Sequence, residues 1–245
     1  MLGVALLAAS GHDGGMKPAK LARCSALRGG LLFAALASVA TAQNQTWIRQ
    51  FGTSAFDYAR AAAPDGSGGV FVSGLTGGSL GGPNMGSADA WLARYDGAGN
   101  QTWIRQFGTS GYDRVEAAAP DGSGGVYVSG LTAGSLSGPN TGVDDAWLAR
   151  YDGAGNQTWI RQFGTSAFDH ALAAAPDGSG GVYVSGFTGG SLGGPNAGGF
   201  DAWLARYDGA GNQTWIRQFG TIGDDWAYGS ASDGSGGVYV SGYIF

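Results

Sequence analysis

The sequence is poor in the side chains that perform most protein chemistry. Cys24 is its one cysteine, histidine occurs twice, and no lysine follows Lys20. Since Cys24 lies within residues 1–42, the rest of the chain has no disulfide, thiolate nucleophile or thiolate metal ligand. A Ser-His-Asp triad could be built only around His170, and no lysine follows the glycine-rich segments as it does in a phosphate loop. We therefore predict that the chain is not an enzyme.

Charged residues are also scarce, and acids outnumber bases. Charged residues make up 13% of the sequence, and residues 43–245 contain nine arginines and seventeen acids, a net charge of −8. Such a surface repels phosphate backbones and anionic lipid, so we expect neither a nucleic-acid partner nor stable membrane insertion of this part. The apolar content of 43% and the eight tryptophans favour a packed core over disorder.

Long apolar runs are lacking, apart from a short one near the N-terminus. That run spans residues 31–40, follows four basic residues downstream of Met16, and ends at Ala40-Thr41-Ala42. It is too short for a membrane anchor, and this order of basic, apolar and small residues is that of a secretory signal peptide. We predict a signal-peptide region over 1–42, with the start at Met16 and cleavage after Ala42, and a secreted or cell-surface domain over 43–245.

Glycine and a long internal repeat are what the sequence has in abundance. Glycine accounts for 49 residues, and one unit recurs with a period of 56, marked by Trp47, Trp103, Trp159 and Trp215. A fixed period of this size indicates equal supersecondary units stacked against each other. Turn-forming residues separate four β-prone segments in the first unit, so we predict short strands over 58–63, 69–76, 90–95 and 102–107.

These predicted strands are apolar on both faces, as expected for a sheet enclosed between two layers. Four-stranded antiparallel meanders stacked face to face are the blades of a β-propeller, which we predict in preference to a parallel β-helix. We expect an all-β fold of 56-residue blades, three complete and a fourth partial. An additional strand at 46–51 could serve as the last strand of the fourth blade and close the ring. Even then the fourth blade would lack its third strand. We therefore expect a fragment of a longer product, with an open arc whose edge strands need a partner as the alternative.

Three motifs at constant spacing resemble the SBBP family of bacterial β-propeller repeats. They are Trp-x-x-x-Phe-Gly, Asp-Gly-Ser-Gly-Gly-Val and Asp-Ala-Trp-Leu-Ala-Arg-Tyr-Asp, and their repeats cover essentially all of 43–245. The resemblance implies one propeller blade per repeat in an exported or cell-surface protein. It brings no catalytic residues to carry over.

One face of the array is predicted to differ between repeats, since connections alternate between the two ends of a meander. The short Pro-Asp-Gly-Ser-Gly and Asp-Gly-Ala-Gly-Asn turns share one face and hardly change. The other face carries the start of the first strand and a long loop that varies at 85, 141 and 197. Loops on a rigid scaffold commonly bind ligands, and drift after duplication is the alternative explanation. The candidate ligand-binding residues are Tyr58, Arg60, Arg114, Glu116, His170, Leu172, Trp226 and Tyr228.

A carboxylate recurs just before the first strand of every repeat, and two roles are open to it. Carboxylates that converge on a channel mouth could hold a hard cation such as Ca²⁺. Alternatively, each aspartate accepts hydrogen bonds from nearby backbone amides and shapes its turn, which the identical placement in every repeat favours. We otherwise expect no cofactor. The candidate metal ligands are Asp57, Asp113, Asp169 and Asp225.

Together these observations predict a secreted or cell-surface, non-enzymatic β-propeller that acts as a binding or scaffolding module. Its expected partner is an unidentified protein or glycan on the variable face. The alternative is an extracellular polysaccharide-directed enzyme, a hydrolase or lyase with its site at the channel mouth. Tyr58 and Trp226 would suit stacking on sugar rings in either case. A third interpretation is an adhesive array on the cell surface with no small ligand.

Overall fold

All regular structure in the described part of the chain is β-strand. The computed structural model describes residues 4–9 and 45–245, so nearly all of the predicted signal peptide, with Met16 and the cleavage after Ala42, lies outside the described residues. The strands are β1 (Val4–Ala9), β2 (Gln45–Phe51), β3 (Asp57–Pro64), β4 (Val70–Thr76), β5 (Asp89–Tyr95), β6 (Gln101–Phe107), β7 (Asp113–Pro120), β8 (Val126–Thr132), β9 (Asp145–Tyr151), β10 (Gln157–Phe163), β11 (Asp169–Pro176), β12 (Val182–Thr188), β13 (Asp201–Tyr207), β14 (Gln213–Phe219), β15 (Asp225–Ser232) and β16 (Val238–Ile244).

Each complete repeat forms one four-stranded antiparallel sheet in which neighbours along the chain are neighbours in space. The three sheets have the orders β3-β4-β5-β6, β7-β8-β9-β10 and β11-β12-β13-β14. The prediction of an all-β chain with repeated four-stranded meanders is thereby confirmed, and β3 extends the predicted strand 58–63 by one residue at each end. The fourth repeat contributes only the two-stranded sheet β15-β16, which corresponds to the first two strands of a complete sheet.

Glycine-rich turns connect the first two strands of each sheet because only glycine adopts their backbone conformation freely. In the first repeat Gly66 and Gly68 have φ of 75° and 92°, in the left-handed region that disfavours other side chains. The Asp65 carboxylate accepts hydrogen bonds from two amides of the turn at 2.8 and 2.7 Å. Arg94 on β5 donates to the same carboxylate at 2.7 Å, so the turn and the third strand are fixed to each other.

A tryptophan from the third strand lies at the centre of each complete sheet. Trp147 on β9 is fully buried, donates from Nε1 to the Leu131 carbonyl oxygen at 2.9 Å, and meets the Phe107 ring edge-on at 5.6 Å. Since Phe107 ends β6, the last strand of each sheet packs onto the next sheet, which explains why both faces are apolar. The same pairs recur as Phe51 with Trp91 and Phe163 with Trp203.

Hydrogen bonds join successive sheets at both ends of their strands. At one end, the Asp113 amide donates to the Ala88 carbonyl oxygen at 2.9 Å. At the other end, Trp103 Nε1 donates to the Gly153 carbonyl oxygen at 3.0 Å, in the turn between β9 and β10. The first strands β3, β7, β11 and β15 of successive sheets lie against one another. The sheets therefore form one continuous array in the order of the sequence.

Half a sheet lies at each end of this array. The suggestion that the strand at 46–51 completes the fourth sheet is wrong for the described residues, because β2 pairs with β1 and β15-β16 stands as a separate pair. β1 pairs with β2 in the register that β5 holds with β6, including the shift at the last pair. An apolar cavity of about 280 Å³, lined in part by Phe219 and Val240, lies beside β15-β16. In the complete sheets the third-strand tryptophan packs against the equivalent phenylalanine.

Candidate functional site

One cavity of about 330 Å³ lies where the first strands of all four repeats approach one another. β3, β7, β11 and β15 each contribute lining side chains, and β12 contributes one more. Every predicted ligand-binding residue except Tyr58 lines this cavity. Tyr58 is exposed and contacts the Phe56 ring, with ring centres 5.9 Å apart. The lining residues are Arg60, Arg114, Glu116, His170, Leu172, Phe187, Trp226 and Tyr228.

A β-bulge in each first strand sets the direction of these side chains. The pairing of β7 with β8 shifts between Val115 and Ala117, so Glu116 is an extra residue without a pairing partner on β8. Bulges re-aim side chains, increase the local twist and are common next to functional sites. Here the bulged residue and Arg114, two positions earlier, both line the cavity. The bulged residues of the other repeats are Arg60, Leu172 and Tyr228.

A glycine on the second strand makes each bulge possible. Gly130 on β8 lies opposite the bulge, and a Cβ atom there would be 1.9 Å from the Arg114 carbonyl oxygen. No side chain fits into such a close approach of two backbones, so this position requires glycine. The sequence contains the signal, because a glycine inside a strand indicates a bulge or a close backbone approach. The Val-Ser-Gly segment repeats it in every unit.

Two arginines share a single carboxylate on one wall of the cavity. The Glu116 carboxylate oxygens lie 2.5 Å from Arg114 Nε and 3.4 Å from Arg60 Nη1, and the Glu116 side chain is only 9% exposed. The Arg114 contact is an ion pair without hydrogen-bond alignment, and the buried Nε has no hydrogen-bond partner among the described residues. One carboxylate therefore faces two guanidinium groups on this wall, of which Arg60 is the more exposed, at 41%.

Aromatic rings form another wall of the cavity. Trp226 stacks on Phe187 with ring centres 4.3 Å apart and planes within 20°, and Tyr228 lies 5.6 Å from Trp226. His170 packs 4.5 Å from Phe187, and its Nε2 lies 3.1 Å from the Asp144 carboxylate. Trp226 Nε1 is buried and finds no hydrogen-bond acceptor within the described part of the chain. Apolar rings with a few convergent polar groups in a small concavity are typical of sites for small molecules.

Sequence reasoning missed two residues of this site, Phe187 and Asp144. Phe187 stands where the first two repeats have Leu75 and Leu131, and Asp144 where the first repeat has Ala88. Both differences are visible when the copies are aligned, but they lie outside the first strand. Only the folded array shows that the second strand and the end of the long loop reach the same place.

The tips of the long loops lie away from the cavity. Met85 is exposed beside Gln106 in a separate surface depression. Gln106 on β6 holds the loop, since its side-chain oxygen accepts from the Leu80 amide at 2.7 Å and its amide nitrogen donates to the Asp89 carboxylate at 2.8 Å. The equivalent glutamines of the next two sheets make the same contacts. The variable face thus has two parts, and only the cavity gathers side chains of diverse chemistry.

The aspartates considered as metal ligands are each engaged in their own turn. The Asp169 carboxylate accepts hydrogen bonds from the Thr165 amide at 2.5 Å and from the Thr188 hydroxyl at 2.5 Å. Burial raises the pKa of Asp113 and Asp169 above the usual value, although hydrogen bonds from threonines act in the lowering direction. Within residues 4–9 and 45–245 no group of three or more acids, histidines or cysteines is placed to hold a metal ion. Asp57 and Asp225 accept equivalent hydrogen bonds.

Comparison with known proteins gives one informative similarity. No protein-family model matches the chain. A stretch of 160 residues is 33% identical to the regulatory protein FlaEY of Caulobacter vibrioides. The match covers 58% of this chain but spans only 17% of the length of that relative. The described residues form no helix that is long and apolar enough to cross a membrane.

Proposed function

We propose that the chain is a non-enzymatic binding module, built as part of an SBBP-type β-propeller and exported from the cytoplasm. The cavity among the first strands is its ligand site. The observation that carries this proposal is that residues differing between repeats meet in this one cavity. The short turns at the opposite ends of the strands, by contrast, hardly change between repeats.

A repeated array places equivalent positions near one another, so their proximity alone does not indicate a site. The chemical difference between those positions does. Tyr58 is replaced by arginine, histidine and tryptophan in the later repeats, whereas the buried third-strand tryptophan is the same in every complete sheet. Drift is expected at freely exposed positions, yet both Glu116 and His170 are largely buried. Glu116 is held in an ion pair with Arg114, and His170 contacts the Asp144 carboxylate. An asymmetric set of ordered side chains suits the recognition of one asymmetric ligand.

The propeller is supported by how the sheets follow one another. Their first strands lie side by side in sequence order. Short parallel pairings link the ends of the first two long loops to the start of the next sheet, at Ala88 with Tyr112 and Asp144 with Phe168. Radial repetition of four-stranded sheets is the arrangement of a propeller. Export rests on the order of basic, apolar and small residues in 16–42, which would make Gln43 the first residue of the exported protein.

A glycan is the ligand class that the cavity suits best, because stacked aromatic rings in a concavity of about 330 Å³ admit a sugar ring rather than a protein surface. Glycan-array binding should therefore be compared for the wild type, Tyr228→Ser and Tyr239→Ser. Tyr228 lines the cavity, whereas Tyr239 is exposed on β16 away from it. We expect Tyr228→Ser to weaken glycan binding by about tenfold, the order of one aromatic contact, and Tyr239→Ser to leave it unchanged.

Two outcomes would count against this function. Absence of glycan binding, or binding that survives Tyr228→Ser unchanged, would remove the cavity as the ligand site. Turnover of the bound glycan that is lost in Asp57→Asn or Asp169→Asn would support the polysaccharide-directed enzyme instead.

A further inference from the structure

We propose that the cavity selects a carboxylated sugar, a hexuronate unit, with the carboxylate at Arg60 and Arg114 and the ring against Tyr228 and Trp226. This inference rests on the proposed function and specifies its ligand. A hexuronate needs a cationic group to bind its carboxylate, whereas a neutral sugar does not. The arginine pair, the unpaired Trp226 N–H group and the aromatic wall each favour such a ligand.

The arginine pair offers a place for an anion. Arg114 lies 2.5 Å and Arg60 3.4 Å from the Glu116 carboxylate, and the Arg60 side chain is 41% exposed, so its guanidinium can also meet a ligand carboxylate. The Asp144 carboxylate, the other acid of the site, lies against His170 instead. Arginine presents a planar fork of donors that matches a carboxylate better than a point charge does.

One buried N–H group in the lining calls for an acceptor oxygen. Trp226 Nε1 has no hydrogen-bond partner among the described residues, and its side chain lines the cavity. A buried donor without an acceptor is costly, and a ligand that supplies the acceptor recovers that cost on binding. A hexuronate offers carboxylate and hydroxyl oxygens on one small ring.

The aromatic wall calls for a ring with an apolar face. Phe187 supports one face of Trp226, and Phe200 meets Trp226 edge-on with ring centres 5.8 Å apart. This packing fixes the indole before any ligand arrives, which lowers the entropic cost of binding. Tyr228 is 54% exposed and extends the aromatic surface beside it. An inorganic anion would leave this surface uncovered, whereas a sugar ring would cover it.

The test compares D-galacturonate with D-galactose, which differ at C6 in the carboxylate. Isothermal titration at low salt would be performed on the full chain, with acetate as an anion that lacks the ring. We expect galacturonate to bind at least about tenfold more tightly than galactose or acetate, the order expected for a charge-assisted contact. We also expect the affinity for galacturonate to fall as the ionic strength rises, because salt screens the contact between the charges.

Arg60→Gln is the decisive variant, because Arg60 is exposed enough to be replaced without disturbing the core. It should reduce galacturonate affinity to the level of galactose and lower galactose affinity by a much smaller factor. The matched control is Arg217→Gln, since the Arg217 side chain on β14 donates to the neighbouring Ile216 carbonyl oxygen and is not part of the lining. It should change neither affinity.

Equal affinities for the two sugars, no measurable affinity for galacturonate, or equal affinities for acetate and galacturonate would overturn the proposal. Unequal affinities that Arg60→Gln does not alter would also overturn it. If neutral array glycans bind and Tyr228→Ser abolishes that binding, the proposed function stands while the hexuronate inference falls. If no binding depends on cavity residues, both fall.

Discussion

At the scale of single residues, the aspartate that opens the Asp-Gly-Ser-Gly turn of each complete repeat accepts hydrogen bonds from several donors at once. Asp121 accepts from Arg150 at 2.7 Å and from the amides of Ser123 and Gly125 at 2.8 Å each. Burial acts to raise the pKa of this carboxyl group, but hydrogen bonds from these donors outweigh it and lower the pKa. In the first repeat the same balance brings the pKa of Asp65 to about 2.

A lowered pKa in the folded state links these aspartates to stability in acid. Their contribution is fully present above pH about 4, the unfolded value, and is lost as the pH falls towards the folded value. We expect Asp121→Asn to lower the free energy of unfolding by about 1.5–3 kcal/mol at pH 7, and by less at pH 3. Urea denaturation at both pH values measures this difference.

The control for that measurement is Asp152→Asn. Asp152 also accepts turn amides, but it is less buried than Asp121 and contacts no arginine in the described residues. Its replacement should change the free energy of unfolding less than Asp121→Asn at pH 7. If Asp121→Asn lowers the free energy of unfolding by the same amount at pH 7 and pH 3, the negative charge of Asp121 is not what stabilises the fold.

At the scale of the strand pair, the bulge and its facing glycine act as one unit. We expect Gly130→Ala to lower the free energy of unfolding by about 1–3 kcal/mol or more, because the new Cβ would lie 1.9 Å from the Arg114 carbonyl oxygen. Gly138→Ala is the matched control, since nothing lies within 4 Å of a Cβ at Gly138. Chemical denaturation of the two variants measures the effect. If the two variants have equal free energies of unfolding, the close approach of β7 and β8 at Gly130 does not contribute to stability.

The strands were predictable from sequence, whereas the bulge was not located. Turn residues and β-branched runs predicted the ends of the strands to within about one residue, because strand and turn preferences depend on residues that are close in the sequence. The bulge depends on the pairing of two strands, and Gly130 indicates only that the backbones approach closely. The cavity was predictable in part for the same reason. Arg60 and Glu116 were found by comparing first strands, while Phe187 required knowledge of how sheets face one another.

At the scale of the whole molecule, the fourth repeat shows what the third and fourth strands contribute. Phe219 is 49% exposed, whereas the equivalent Phe163 packs edge-on against Trp203 at 5.6 Å. Tyr239 on β16 is 70% exposed, whereas the equivalent Tyr183 is buried. The apolar cavity beside β15-β16 lies where a third-strand tryptophan would pack by the equivalence of the repeats. A hydrogen-bonding edge of β16 also remains open in the described residues.

A peptide with the sequence of residues 201–219 should therefore stabilise the chain, because it carries a third strand, its turn and a fourth strand. Binding at a hundred times the dissociation constant would add about 2.7 kcal/mol, which raises the melting temperature by several degrees at about 2–4 °C per kcal/mol. The matched peptide with Trp203→Ala lacks the ring that fills the cavity and should raise it much less. Equal shifts from both peptides would show that backbone pairing at the edge of β16, rather than the tryptophan, determines how a fourth sheet is completed.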